Sequence, residues 1–362
     1  MAKKKVFVGL NNISGLAASI AIALRSVDVY CKSYSYTKHS FDYSIDSIIF
    51  QFSTLKPNQL VRFLKINFVI HSLNKFLRWV YLIIFIFKYN VFIFISVDTI
   101  LKKRKDLQVL KLFQKTIIFL FVGCPERDPL ASINLKKGAP CFKCTDNRLK
   151  NICLCNNRNK KKSLIKYIEE RSDNIVGSLD VRSFLKEPEK VIRGFVISPN
   201  PSNQQRLLSK FNNEKIIISH FPSNKLLKGT HFIKKIMDGI KKKYKNKIAY
   251  YSQKLDNKDV LLKLEDTHIL IDQFNGLHGI LAVEAMARGC VVIASLSDWF
   301  IEDRRDIPII NTDLENLENT INKLIESPMM MKEIAQKSIV YFNKYHSPRA
   351  VGNFYNKIID LN

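Results

Sequence analysis

The chain has 362 residues, 46% of them hydrophobic, which argues against intrinsic disorder as the default and supplies enough apolar material for two domains. Lysine and arginine number 58 against 32 aspartates and glutamates, a net charge of +26, so an anionic partner is implied: nucleic acid, an anionic membrane surface or a phosphorylated ligand. The first apolar stretch breaks at Asn11 and Asn12, which reads as no signal peptide. The longest apolar run, WVYLIIFIF at 79–87, is shorter than the roughly 20 residues that span a bilayer, so a soluble, cytoplasmic protein is expected.

KKVFVGL at 4–10 reads as a buried strand. It runs through NNISG into LAASIAIALRSV, an Ala- and Leu-rich helix for which Asn12 or Ser14 is a candidate cap. This is the opening strand, loop and helix of a doubly wound α/β domain. From Pro57 to Lys88 the chain is very apolar and mostly helical, and VFIFIS at 91–96 and TIIFLFVG at 116–123 are further strands. Residues 136–163 are basic, polar and cysteine-rich and read as a loop insertion; a helix (SLIKYIEERS) and a strand (NIVGS) follow. RGFVISPNPSNQQ at 193–205 carries prolines, serines and asparagines and reads as a linker. EKIIISH at 214–220 then begins a second run: helix 230–243, strand KIAYYS, helix DVLLKL, strand THILID, helix ILAVEAMA and strand CVVIAS. The last fifty residues read as helix.

Such alternation predicts parallel sheets: an α/β chain of two Rossmann-like halves, 1–200 and 201–345, with the insertion in the first half and a final helix at 346–362. Ligands of such sheets bind at the carboxyl ends of the strands, here in the cleft between the halves.

GLHGILAVEAMARGCVV at 276–292 places one carboxylate, Glu284, in a small, apolar run. Gly276 and Gly279 permit a tight loop after the strand, and Glu284 falls in the first turns of the next helix. Spacing leaves two readings open: a ligand-hydroxyl acceptor at the strand's carboxyl end, or a glutamate that meets only backbone. The stretch IDQFNGLHGILAVEAMARGCVVIAS resembles the donor-binding segment of retaining GT-B glycosyltransferases, a family with a Glu-x(7)-Glu element followed by Ala-Met-Ala, glycine and a valine strand. Glu284 matches the second glutamate, while Gly276 stands where the first is expected. Asp272, Gln273, Gly276 and Gly279 fit the form seen in a bacterial surface-polysaccharide subgroup. The resemblance implies that Glu284 holds the ribose of a nucleotide-sugar and assigns Gly276, His278, Gly279 and Ile280 to the donor site.

HFPSNKLLKGTHFI at 220–233 is similar to the family's loop bearing Arg and Lys-Gly; Lys228-Gly229 matches Lys-Gly, Ser223 replaces the arginine, and Lys225 lies nearby. Two lysines before a helix that starts near Thr230 suit a diphosphate, although a solvated basic loop gives the same pattern. NNISGLA resembles the family's N-terminal glycine loop, which would bring Gly9 and Gly15 close to the donor phosphate or the acceptor. FVGCPERDP at 121–129 resembles a subgroup segment of the type Gly-Cys-Asp-x-Arg, which implies catalytic roles for Glu126, toward acceptor hydroxyls, and Arg127, toward a phosphate or sugar; charge pairing at the surface is the plainer reading. EIAQKSIVYFNKYHSPRAVGNFYNKII at 333–359 resembles the family's last helices, which implies that 346–362 pack back on the N-terminal domain.

Seven cysteines in a reducing setting suit thiols or metal ligands better than disulfides. Cys141, Cys144, Cys153 and Cys155 could hold a structural zinc or stay free thiols; Cys31, Cys124 and Cys290 belong to the core.

The expected activity is transfer of a sugar from a nucleotide-diphosphate donor to a lipid-linked or oligosaccharide acceptor in surface-polysaccharide (lipopolysaccharide or capsule) synthesis, with retention. No cofactor is required, because Lys225, Lys228 and helix N-termini neutralise the leaving diphosphate. FLRWVYLIIFIFKY at 76–89 either packs as a buried helix or holds the enzyme on an anionic inner leaflet. The rivals are a basic nucleic-acid-binding protein with a cysteine knuckle, for which the lysines lack interleaved aromatics, and a non-catalytic glycosyltransferase-like subunit.

Overall fold

The computed structural model describes residues 4–53, 66–123, 126–128, 157–178, 181, 184–188, 191–193, 207–225, 228–303 and 306–361. These fall in two compact units, one drawn from residues 1–126, 156–194 and 352–362, the other from 127–155 and 195–351.

The first unit is built on β1 (Lys5–Leu10), β2 (Tyr30–Ser35), β3 (Ser47–Ile48), β4 (Val91–Ile95), β5 (Thr116–Phe121), β6 (Asn174–Gly177) and β7 (Val191–Arg193), in the order β3-β2-β1-β4-β5-β6-β7. Every pairing is parallel. Strands covered on both faces read as unbroken apolar runs, and VFIFI of β4 is buried at every position. The core gathers rings around Phe7, which stacks on Tyr34 at 5.0 Å and lies 5.0 Å from Phe85. The Tyr34 and Tyr89 hydroxyls satisfy one another at 2.7 Å.

Helix α1 (Leu16–Arg25) follows β1. Gly15 holds the N-cap position, not Asn12 or Ser14; Asn12 still steadies the helix start from further back, its Oδ1 accepting from the Ala17 N–H at 3.1 Å. Gly15 turns the chain with φ +76°, and a Cβ there would stand 2.5 Å from the Tyr43 ring, so only glycine fits. Helix α2 (Ile66–Lys88) is much longer than the nine-residue apolar run within it. His71, Ser72, Asn74, Lys75 and Arg78 interrupt the hydropathy without interrupting the helix, which by length and composition could cross a membrane. Helix α3 (Asp106–Leu112) precedes β5. Helix α4 (Arg158–Glu169) starts inside the stretch read as a loop to residue 163; Asn157 caps it, accepting from the Lys160 N–H at 2.9 Å.

The second unit carries β8 (Ile216–His220), β9 (Ile248–Ser252), β10 (Ile269–Ile271), β11 (Val291–Ala294) and β12 (Ile309–Asn311), all parallel, in the order β12-β11-β10-β8-β9. Between and after them run α5 (Thr230–Tyr244), α6 (Asn257–Asp266), α7 (Ile280–Ala287), α8 (Asp298–Asp303), α9 (Leu317–Glu326), α10 (Pro328–Tyr345) and α11 (Pro348–Asp360). Helix α7 is buried from Ala282 to Ala287, which explains why its sequence is small and apolar all round. Residues 352–362, the end of α11, belong to the first unit. Cys31 and Cys290 are buried free thiols; Cys124, Cys141, Cys144, Cys153, Cys155 and most of the 193–205 linker lie outside the described residues.

Each sheet reverses its winding once. In the first, β1 lies beside β4; in the second, β8 lies beside β10. The loops that leave the carboxyl ends of such a strand pair diverge and open a crevice, the place where open α/β sheets take ligands.

Candidate functional site

The residues singled out by sequence collect at the β8–β10 reversal of the second unit. β8 ends at His220, which is buried beneath the next loop. Its Nδ1 faces the Ile271 carbonyl at 2.8 Å and its Nε2 faces the Thr230 hydroxyl at 2.9 Å. A carbonyl only accepts, so Nδ1 carries the proton and Nε2 accepts from Thr230. Burial lowers the pKa of this imidazole against the opposing pull of the Ile271 bond, which keeps the ring neutral and the tautomer fixed. His220 therefore ties the end of β10 to the first residue of α5. Gly229 enters that helix with φ +67°, a conformation that favours glycine. No acidic side chain sits in the first turn of α5.

Lys228 does not stand free before the helix. Its Nζ donates to Asp272 Oδ1 at 2.6 Å, and Asp272, just past β10, is wholly buried. The other carboxylate oxygen of Asp272 accepts from the Gly279 N–H at 3.2 Å, at the entry to α7. Burial alone would raise the Asp272 pKa; the Lys228 ammonium and its hydrogen bond, with the Gly279 N–H and His278, together outweigh it and hold the carboxyl below its usual range. One internal anion thus bridges the two loops that flank the reversal, drawing on a lysine and a helix N-terminus together. Lys225 is exposed, and its carbonyl accepts from the Thr230 N–H at 3.0 Å.

The loop from Gln273 to Gly279 is fixed by its own backbone. Gln273 donates to the Leu277 carbonyl at 2.7 Å. Gly276 donates its N–H to the Ser295 carbonyl at 3.0 Å, and its carbonyl accepts from the Ser297 N–H at 2.8 Å and the Ser297 hydroxyl at 2.5 Å. Its φ is +89°, so a side chain at this position is strained. That gives a physical reason for the glycine that stands where the first motif glutamate is expected: the backbone conformation excludes it. His278 sets its ring edge-to-face against Phe300 at 5.2 Å, with Nδ1 3.1 Å from the Gly279 carbonyl. Ile280 opens α7.

Glu284 is the fifth residue of α7 and is buried. Asn257, the first residue of α6, donates to its Oε1 at 2.8 Å. Oε2 accepts no hydrogen bond from the described residues. Arg288, one turn on, donates to the Glu284 backbone carbonyl at 3.1 Å and not to its carboxylate. Burial raises the Glu284 pKa, and the bond from Asn257 and the charge of Arg288 offset this only in part. A buried, pre-oriented carboxylate with one oxygen in reserve is suited to accept from a hydroxyl.

Sequence reasoning missed His220 and Asn257. His220 was visible as a polar residue closing an apolar strand, IIISH; nothing near Asn257 marks it, because its partner is 27 residues away.

The remaining assignments lie elsewhere. Gly15 is in the first unit, at the β1 end of its own reversal. Glu126, also in that unit, is fully buried: one carboxylate oxygen accepts from the Ser96 hydroxyl at the end of β4, the other from the Gly123 N–H at 2.8 Å. It is a loop anchor in this arrangement, not the surface charge that the plainer sequence reading expected. Arg127 falls in the second unit and is buried as well. The zinc assignment rests on residues outside those described.

No family model and no curated protein sequence matches this chain. Solved structures do. HepE of Anabaena in complex with UDP-glucose aligns with 99% of this chain and 100% of its own at a TM-score of 0.58 and 12% identity. WaaG, a glycosyltransferase involved in lipopolysaccharide biosynthesis, aligns over 98% of both chains at a TM-score of 0.53 and 10% identity. UDP-GlcNAc 2-epimerase from Neisseria meningitidis bound to UDP-GlcNAc aligns over 99% of this chain and 98% of its own at a TM-score of 0.50 and 14% identity. The fold is GT-B. At such identities the likeness speaks for the fold alone, and a GT-B chain is assigned a reaction from its site residues.

Proposed function

We propose that this GT-B protein is a glycosyltransferase that moves a sugar from a nucleotide-diphosphate donor to a hydroxyl of a lipid-linked or oligosaccharide acceptor in surface-polysaccharide synthesis, with retention at the anomeric carbon. The observation that carries the reading is the pair of recognition elements at one strand reversal: a buried carboxylate, Glu284, and an Asp272-paired lysine at the entry to α5. A ribose diol matches the first, and a diphosphate matches the second. HepE, which binds UDP-glucose, and WaaG, a glycosyltransferase of lipopolysaccharide biosynthesis, lend support as proteins of like fold.

On this reading Glu284 accepts from the ribose hydroxyls, with Asn257 fixing the carboxylate. Lys228 shares its N–H donors between Asp272 and the leaving diphosphate; three donors leave capacity for both. Lys225 and the N-terminus of α5 add charge at the same end, and negative charge that builds on the diphosphate as the glycosidic bond breaks is stabilised there. Sugar contacts fall to backbone and to the neighbourhood of His278, since Gly276 offers no side chain.

The test is thermal shift with a panel of nucleoside diphosphates and nucleotide-sugars, beside Glu284→Ala, followed by mass spectrometry and NMR of the products. Selective stabilisation of wild type by one donor, weakened in the variant, and glycosylated product of retained anomeric configuration are expected. A 2-epimerised sugar-nucleotide formed without acceptor would move the protein to the epimerase side of the fold. Salt-sensitive nucleic-acid binding with no donor binding would overturn the reading altogether.

A further inference from the structure

Helix α2 presents an apolar face on each side. Its inner face places Leu82, Phe85 and Ile86 in the same core as Phe7, Tyr34 and Tyr89. Its outer face exposes Phe76 and Phe87 at 65% and 80%. Val69, Leu73, Phe76, Val80, Ile83 and Phe87 recur at spacings of three and four and so fall on one stripe, about 100° per residue apart in projection. The patch continues onto the end of α3, where Phe113 lies 6.3 Å from the Phe87 ring and Leu112 is exposed. A surface helix of a protein that meets only water turns polar residues outward; this one does not.

We propose that the outer face of α2 seats the first unit in the surface of an anionic bilayer, with the helix lying in the membrane plane. Charge selects the occupant. Between residues 66 and 115 there are nine lysines and arginines and two aspartates, Asp98 and Asp106, of which Asp106 is buried. Lys88 is exposed at the border of the stripe, where a long side chain buries its methylenes and reaches up to lipid phosphates. A second copy of the chain would bring another +26 against the same face.

Packing decides the orientation. A helix of this length could span a bilayer. To do so it would pull Phe85 away from Phe7 and Tyr34, 5.0 and 4.8 Å distant, and break two hydrogen bonds, the one Asn74 Oδ1 accepts from the Phe52 N–H and the one its amide donates to the Phe52 carbonyl. Held by the sheet along its inner face, α2 dips its outer side chains into the headgroup and acyl boundary and goes no further.

The chain has two tryptophans, and one of them, Trp79, is on this helix. Full-length Trp299→Phe protein makes Trp79 the sole reporter. Vesicles of phosphatidylcholine with roughly 30% phosphatidylglycerol should shift its emission to the blue, and brominated lipid should quench it; pure phosphatidylcholine should do far less. Phe76→Ser/Phe87→Ser, which alters exposed side chains only, should weaken flotation with anionic vesicles by about tenfold or more, with donor-induced thermal shifts unchanged. The unchanged thermal shift separates this proposal from the assignment of function. The proposal is overturned if Trp79 keeps its emission on anionic vesicles, if the double variant floats as wild type does, or if Trp79 is buried without lipid in a dimer that dilution dissolves.

Discussion

Replacing Asp272 by asparagine keeps the size of the side chain and removes the charge opposite Lys228. The wild-type contact is 2.6 Å long, with Asp272 wholly buried and the Lys228 side chain 11% exposed, so neither partner reaches bulk water without moving the loop. Breaking a buried pair from one side costs about 3–5 kcal/mol, because the remaining charge is left uncompensated. For a unit of this size, at roughly 2–4 °C per kcal/mol, the second unit's transition should fall by on the order of 10 °C. Lys228→Met strands the carboxylate instead and should cost a similar amount. The double variant Lys228→Met/Asp272→Asn leaves neither member of the pair charged, and the new amide oxygen can still accept from the Gly279 N–H; it should return to within about 1–2 kcal/mol of wild type. Scanning calorimetry of the four proteins closes the cycle. A fall of under about 1 kcal/mol in Asp272→Asn, or a double variant that loses the sum of both singles, would refute the reasoning. The pH dependence has a definite sign. The Asp272 carboxyl is held below its usual value, so its stabilisation is present above the unfolded pKa of about 3.9 and is lost as pH falls through the lower folded value. The gap between wild type and Asp272→Asn should stay constant near neutrality and close only in strong acid.

On the proposed reading, Glu284, whose pKa is raised, ties donor affinity to pH: affinity should weaken as pH falls through that value, above the usual glutamate range of about 4.3, and Glu284→Gln should bind weakly with a flat profile; isothermal titration across pH checks both. Asn257→Ala removes the bond to Oε1 and should weaken donor binding by about 1–2 kcal/mol with little change in the far-ultraviolet spectrum. In the first unit, a Cβ on Gly352 would stand 2.2 Å from the Ala23 carbonyl oxygen, against backbone that cannot step aside, so Gly352→Ala should destabilise that unit by about 1–3 kcal/mol in thermal melts.

The strands and helices of the second unit were legible from alternation alone, because buried parallel strands such as Val291–Ala294 carry unbroken apolar runs between helical stretches. Short or polar strands were not: YCKSYS of β2 and the three-residue β12 gain their pairing from neighbours, not from their own pattern. Lys228 and the loop that begins at Asp272 were each visible, but their pairing was not, since the two residues lie 44 apart and meet only once β8 and β10 are side by side. The sequence also left α2 undecided between core and surface. A helix that is apolar on both faces reads as buried, and only the placement of Leu82 inward and Phe87 outward separates the two roles.

β5 and β6 are neighbours in register, Phe121 opposite Gly177, yet residues 122–173 lie between them in the chain. Asn174, where the chain re-enters the sheet, lies opposite Ile118, so the two ends of that connection are pinned about 11 Å apart, one strand spacing sideways and three residues of rise along the strand. Loop-closure entropy grows only logarithmically, roughly 0.6 kcal/mol for each doubling of length. Within the connection, α4 lends Ile165 and Ile168 to the core and is not free to change, but the part at 136–156, with four cysteines and many lysines, can be lengthened, shortened or exchanged at little thermodynamic cost to the sheet. It is a place where a lineage can graft a new binding module and leave the scaffold's stability nearly untouched.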